Sequence, residues 1–357
     1  MNRIEKLMKA LPEGTDAALI TSEENRRYFT GLGASDGTLV AFRDAAYFII
    51  DFRYIEIAKA TVTGAEVILQ DKLYEQIGAL LKKHGAKTVA IETGYVTVGA
   101  LEVYRKRLPE YDFSTDAALN DKILEMRSLK DEYEIAAIRK AQGITDAAFR
   151  EILDFIKPGK TEKEIAAYLE YCMRRLGADG LAFETIAAGG PNSAKPHAVP
   201  GDRPLQQGDF FTMDYGALWD GYCSDMTRTI AIGEPTDEMR KVYDTVLAAQ
   251  LLGIEKAVEG ASCRAVDAAA RDLIYNAGYE GCFGHSLGHS VGIEIHETPG
   301  FTPAADPGIT CRQGMVITVE PGIYLEGRFG VRIEDMVWIA PDGTKDLTNS
   351  PKELIIL

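Results

Sequence analysis

An internal repeat constrains this chain more than any other feature, because a duplicated segment dictates architecture before any motif is read. Displacing the sequence by 101 residues lays Gly159, Thr161, Ile165, Gly177 and Gly180 onto Gly260, Ser262, Val266, Gly278 and Gly281. Each copy opens with a hydroxyl residue suited to capping exposed helix N–H groups, and Thr161 with Glu164 forms the capping-box pattern. Each copy closes at a glycine pair and is followed by strand-like sequence. The inference is a duplicated helix-and-strand unit whose two sheets join about a pseudo-two-fold axis. A site on that axis receives ligands from both copies.

The repeat leaves the first third of the chain unaccounted for, and 357 residues favour two domains. Short apolar runs at 17–20, 38–44, 46–50, 66–70 and 87–92 read as strands, and 72–84 and 97–107 as helices, giving an α/β domain with its own core. The glycine-rich stretch Gly31 to Gly37 fails the G-x-G-x-x-G spacing and reads as a turn. From Leu119 to about Lys157 the sequence turns charged and helical, with apolar residues every three or four positions. The domains are therefore expected at 1–120 and 121–357.

Charge and composition remove several function classes. With 39 Lys+Arg against 54 Asp+Glu the net charge is −15, which opposes a nucleic-acid or anionic-membrane surface as main partner. No apolar stretch has the length of a transmembrane helix, and residues 1–14 scatter charge as a short amphipathic helix does, unlike an export signal. Five widely spaced cysteines without a CxxC pair suit free thiols in a reducing compartment, so a cytoplasmic protein is expected.

The chemistry concentrates in the second domain, where four of the five histidines (His197, His285, His289, His296) lie; His84 is expected on a helix surface. Asp214 and Asp225 flank an Asp220-Gly221 step, a strong hairpin signal that sets Asp214 opposite Thr227, with Asp225 diagonally adjacent on the same face. Glu320 and Glu334 flank a second hairpin centred near Gly327. Both hairpins follow a repeated helix, so duplication brings all four acids to the axis. Taken singly, each acid is compatible with an ordinary edge strand. Taken together, with Phe210, Phe211, Met213, Val316, Ile317 and Val319 beside them, they imply buried carboxylates that repel unless protons or cations neutralise them. Two divalent ions would match the four charges. A nitrogen ligand is available in GHSLGHSVGIEIHE, whose glycines argue against a helix and thus against a zincin H-E-x-x-H.

With GHSLGHSVGIEIHE and VEPGIY...GVRIED around them, Asp214, Asp225, His289, Glu320 and Glu334 closely resemble the ligands of the pita-bread metallopeptidases, which include prolidase, aminopeptidase P and methionine aminopeptidase. The first domain, with TSEENRRYFTG, resembles the creatinase/prolidase-type N-terminal domain, which methionine aminopeptidases ordinarily lack. The fold implied is a creatinase/prolidase-like N-terminal α/β domain followed by a pita-bread (duplicated α+β) catalytic domain. Ser290 stands where the family often has glycine.

The resemblance implies a dinuclear centre. In it Asp214 bridges weakly or chelates one ion, Asp225 and Glu334 bridge both, and His289 and Glu320 complete the shells. Two metals lower the pKa of a shared water so that hydroxide exists near neutral pH, and they polarise the scissile carbonyl. Glu320 accepts the proton, and His197 and His296 donate hydrogen bonds to the substrate carbonyl and developing oxyanion. Arg332 orients a bridging carboxylate on the substrate side. His285 and Tyr324 either form the wall that receives proline or pack as plain core residues. The expected cofactor is a pair of Mn²⁺ ions, with Co²⁺, Fe²⁺ or Zn²⁺ as alternatives. The expected substrate is a dipeptide or longer peptide with proline second, cut by a homodimer. Methionine aminopeptidase action, a metal-free creatinase-type hydrolase and a non-catalytic binding relative are the competing readings.

Overall fold

Residues 2–357 are described by a computed structural model, and the chain divides into two compact units, Met1–Arg127 and Ser128–Leu357. In the first unit a six-stranded sheet runs in the order Glu66–Leu69, Ala46–Ile50, Thr38–Phe42, Ala17–Ile20, Thr88–Ile91, Asp112–Ser114. The strands Ala46–Ile50, Thr38–Phe42 and Ala17–Ile20 are buried at every residue, which is why they read as unbroken apolar runs. Helices Leu73–Lys83 and Val98–Arg107 occupy the expected positions.

Helices Glu23–Thr30 and Ile55–Thr61 and strand Asp112–Ser114 were not anticipated. The first of these is rich in polar residues, so its periodicity is faint, and its ends define it instead. The Ser22 side chain accepts from Asn25 N–H, and Gly31 closes the helix at φ 71°. His84 corrects an expectation: at the end of helix Leu73–Lys83 it is half-buried against the sheet. Its ring stacks on Phe42 with centroids 4.1 Å apart and shares a 3.0 Å hydrogen bond with the Tyr47 hydroxyl.

In the second unit the duplication is visible as two helix pairs, Glu132–Phe155 with Glu162–Arg175 and Asp237–Lys256 with Cys263–Ile274. The first pair packs through Ala148, Phe149, Ile152, Ile165 and Leu169 on Phe211, Met213 and Tyr215. The second packs through Val242, Val246, Val266 and Ala270 on Ile317, Val319, Ile333 and Val337. Thr161 makes the expected capping box, whereas the Ser262 hydroxyl turns to the Pro307 carbonyl and caps nothing.

The copies carry a three-stranded sheet (Met226–Ala231, Phe210–Tyr215, Ile186–Gly189) and a five-stranded one (Glu297–Phe301, Gly288–Ser290, Val316–Val319, Asp335–Ala340, Gly343–Asp346). The expectation that these sheets join is corrected: the ladders stay separate. They meet where Glu334 N–H donates to Thr227 O (3.1 Å) and where the Thr229 hydroxyl donates to Arg332 O and accepts from Arg332 N–H. Arg228 clamps the same seam. It is 1% exposed, and its guanidinium donates to the carbonyls of Thr227, Glu334, Ser350 and Pro351 and to Asp335 Oδ1 at 2.7 Å. The five cysteines are free, all buried except the half-buried Cys282. Among the described residues no helix is long and apolar enough to cross a membrane.

Replacing Arg228 by Met takes a donor from four carbonyls, of which Thr227 O keeps Glu334 N–H, and takes one of two cations from buried Asp335, which keeps Lys352. We expect a loss of about 3–5 kcal/mol, the usual range for breaking a buried pair. Denaturant unfolding of the second unit, followed by tryptophan fluorescence, measures it, and a loss below 1 kcal/mol would contradict this account.

Candidate metal centre

Strand registers bring the acids together. The Asp220-Gly221 step is a two-residue turn with φ of 49° and 76°, closing the pairs Trp219↔Tyr222 and Leu218↔Cys223. The same register continues to Asp214↔Thr227, so Asp225, two residues before Thr227, lies toward Asp214 on one face. The second hairpin pairs Gly322↔Arg332 and Leu325↔Phe329 about Gly327 (φ 71°), and beyond it Val319 pairs with Asp335. Glu320 and Glu334 therefore occupy opposed positions between these ladders.

His289 enters from strand Gly288–Ser290, which has room against Val316–Val319 only because residue 288 lacks a side chain. A Cβ there would stand 1.9 Å from the Thr318 carbonyl oxygen. The imidazole Nδ1 lies 3.1 Å from Ser290 O, which makes Nδ1 the protonated nitrogen and turns Nε2 toward the acids. Nε2 is 3.4 Å from Asp225 Oδ2 and 3.5 Å from Glu320 Oε1. Ligand atoms of Asp225, His289 and Glu334 all lie within 4.8 Å of one another.

Arg332 and Thr227 hold the remaining acids. Arg332 Nη2 donates to Asp214 Oδ2 at 2.6 Å, and its Nε donates to the Thr227 hydroxyl, which donates onward to Glu334 Oε2 at 2.6 Å. Arg332 Nη1 donates to Pro196 O and, at 2.8 Å, to the Tyr324 hydroxyl. That leaves the Tyr324 proton for His285 Nε2, 2.9 Å away, while His285 Nδ1–H donates to Ser286 O. Both nitrogens of His285 are thus committed, and its ring meets the cavity without a free N–H.

The cavity over this cluster has a volume of about 710 Å³. Asp214, Asp225, His285, His289, Glu320, Arg332 and Glu334 line it, together with His197 and His296. Tyr324 is absent from the lining and stands behind His285. Phe183, Ile186, Pro196, Val199, Pro200 and Ile295 give it an apolar wall that sequence reasoning did not anticipate, since apolar residues scattered through loops and at the start of one short strand carry no periodic signal. Thr227 also went without a role, although the hairpin register already placed it opposite Asp214. The His296 ring stands edge-on to His289, with centroids 4.4 Å apart. Its neighbour Glu297 is buried against Lys130 at 3.0 Å.

The electrostatics call for cations. Burial pushes the Asp225 carboxyl up to about 6 and that of Glu320 to about 7, and it raises Glu334 well above the carboxylate range, with the neighbouring acids adding to the shift. Burial works against a charged His289, yet the Asp225 and Glu320 carboxylates bring it up to about 9. Burial and Arg332 take His285 down to about 4, and burial with the His289 charge lowers His296, so both are neutral imidazoles near pH 7. Asp214 Oδ1 is buried without a hydrogen-bond partner. An orphaned carboxylate oxygen, three further acids and an imidazole nitrogen form a donor set that fits oxygen-preferring divalent cations.

Comparison with known proteins agrees with this chemistry. Residues 136–341 match the model of metallopeptidase family M24, and residues 1–128 match the creatinase/prolidase N-terminal domain. An uncharacterized peptidase of Bacillus subtilis is 41% identical over 99% of this chain and 100% of that protein. The Xaa-Pro dipeptidase of Pyrococcus furiosus is 37% identical over 99% of each. A solved structure of an Xaa-Pro dipeptidase from Bacillus anthracis superposes with a TM-score of 0.95 at 40% identity, covering 99% of both chains.

Because Asp225, Glu320 and His289 hold protons at pH 6 in the cation-free protein, a cation must displace them, and its affinity rises with pH. Calorimetric titration of EDTA-stripped protein with Mn²⁺ is expected to show binding at least about tenfold weaker at pH 6 than at pH 8, with proton release. Equal affinity at the two pH values would contradict the assignment of these groups as ligands.

Proposed function

The chain belongs to metallopeptidase family M24, and from that premise we propose that it hydrolyses the amide bond before proline in Xaa-Pro substrates, aided by two divalent cations. The observation that carries this reading is the cluster of Asp214, Asp225, His289, Glu320 and Glu334 beneath a cavity with an apolar wall. Asp214, Asp225, His289, Glu320 and Glu334 would hold the ions between them. Mn²⁺ suits four carboxylates and one imidazole. When bound, such ions lower the pKa of water and polarise a carbonyl.

This chain's own residues supply the rest. Glu320, whose carboxylate lines the cavity beside His289, takes the proton of the attacking water as its oxygen bonds to the carbonyl carbon. His197 and neutral His296 donate N–H bonds to the oxygen on which negative charge develops. The C–N bond then breaks, and Glu320 returns its proton to the proline nitrogen. Arg332 fixes Asp214 directly and Glu334 through Thr227, so it acts by orienting the acids. An Xaa-Pro amide has no N–H to recognise, so the ring is read by shape. Phe183, Ile186, Val199 and the face of His285 offer that shape. The names of the relatives favour dipeptides, and the cavity leaves the product side to be probed with longer peptides.

With Mn²⁺ present, release of alanine from Ala-Pro is expected, slower from Ala-Ala by at least about tenfold, and abolished by EDTA. Ala-Pro-Gly-Gly run beside Ala-Pro reports whether longer peptides are cut. Glu320→Gln, with cation content checked by element analysis, should lose about 10²–10⁴-fold in kcat. Activity that survives either EDTA or loss of this carboxylate would sink the proposal.

A further inference from the structure

A second buried carboxylate, outside the cluster, has a task of its own. Glu162 is the first residue of helix Glu162–Arg175 and is 1% exposed. Its Oε1 accepts from Gly189 N–H at 2.6 Å, and its Oε2 accepts from Gly201 N–H at 2.7 Å and from Asn192 Nδ2 at 2.9 Å. Gly189 ends strand Ile186–Gly189, so Glu162 grips both ends of the segment that runs from Gly190 to Pro200. Asn192 passes the grip inward, its Nδ2 lying 3.4 Å from Val199 O. Helix Glu162–Arg175 adds a backbone bond, Lys163 N–H to Gly201 O at 3.2 Å.

That segment carries His197 and Val199 to the cavity. The His197 side chain is exposed and Val199 is 81% exposed, so packing does little to place them. Their position comes from the backbone. One side of the loop is tied by Arg332 Nη1 to Pro196 O and by Gly330 N–H to the Ser193 hydroxyl. The other side rests on Glu162. A carboxylate is the side chain that suits this place, because three donors converge on it and a helix N-terminus favours its charge. Glutamine has the same shape but would present an NH₂ group to donors.

We propose that Glu162 is a positioning residue that sets His197 against the reacting carbonyl, a role that rests on the part given to His197 in the proposed function. The prediction is a coupling between two residues, read as a double-mutant cycle on Ala-Pro with Mn²⁺-loaded enzyme. His197→Ala should lose about 10²-fold in kcat, the usual scale for one oxyanion donor. Glu162→Gln should lose about tenfold in kcat with cation content unchanged. The double variant should be no slower than His197→Ala alone. Asn192→Ala, which leaves Glu162 in place, should show a smaller loss that likewise vanishes without His197, and it serves if Glu162→Gln fails to fold. Amide exchange should quicken in residues 189–201 of Glu162→Gln and stay unchanged in strand Phe210–Tyr215. Losses that multiply in the double variant would overturn this inference and leave the reading of His197 standing. A His197→Ala enzyme as fast as the parent would overturn that reading and this inference with it.

Discussion

Four carboxylates, two buried and two half-buried, gathered around one guanidinium and one imidazole are the constraint on which the second unit is built. Left to itself the cluster holds protons: Glu320 titrates at about 7 and Asp225 at about 6, because burial penalises their charge and neighbouring acids, Asp214 for both and Asp225 for Glu320, raise them further. Such a site is stable in its ionised form only with added positive charge. Everything around it either delivers an acid to the cluster or keeps one from turning away.

Delivery is a matter of register. Side chains alternate along a strand, so a slip of one residue in either hairpin would send Asp214 or Glu320 to the opposite face. The Asp220-Gly221 turn and the loop about Gly327 prevent this, each with residues at positive φ that hold the strands in step. Retention falls to hydrogen bonds. Arg332 reaches Asp214 directly, Glu334 through Thr227, and His285 through Tyr324, so one side chain from the second copy sets groups from both. Arg228 performs the same service for the backbone, drawing four carbonyls from the seam and the C-terminal segment onto one guanidinium. The two halves are joined by these side chains and by the backbone bond from Glu334 N–H to Thr227 O, where a continuous ladder was expected.

Much of this was legible along the chain. Hairpin turns act over a few residues, and Asp-Gly carries its geometry with it, so the pairing of Asp214 with Thr227 could be read directly. The buried strands of the first unit announced themselves as apolar runs for a similar reason, since burial on both faces leaves no polar residue to interrupt them. Glu23–Thr30 was not legible, because helices specified mainly by their caps have little periodicity to detect. Glu162 has no signal of its own in the sequence: it lies between Thr161 and Glu164 of the capping box, and nothing near it points to Gly189 or Gly201.

What the sequence by itself determined is that four acids and one imidazole come to a single cavity, that their hairpins are related by a duplication, and that the chain is built in two parts. These are local or periodic properties, carried by neighbours a few residues apart. Only the tertiary structure decided which nitrogen of His289 faces the acids, that Tyr324 stands behind His285, that the sheets meet through Arg228, and that Glu162 holds the loop of His197. Each of those depends on hydrogen bonds between residues that the chain brings together only on folding. The energy of a buried donor or acceptor is set by whichever partner completes it, and sequence spacing does not name that partner.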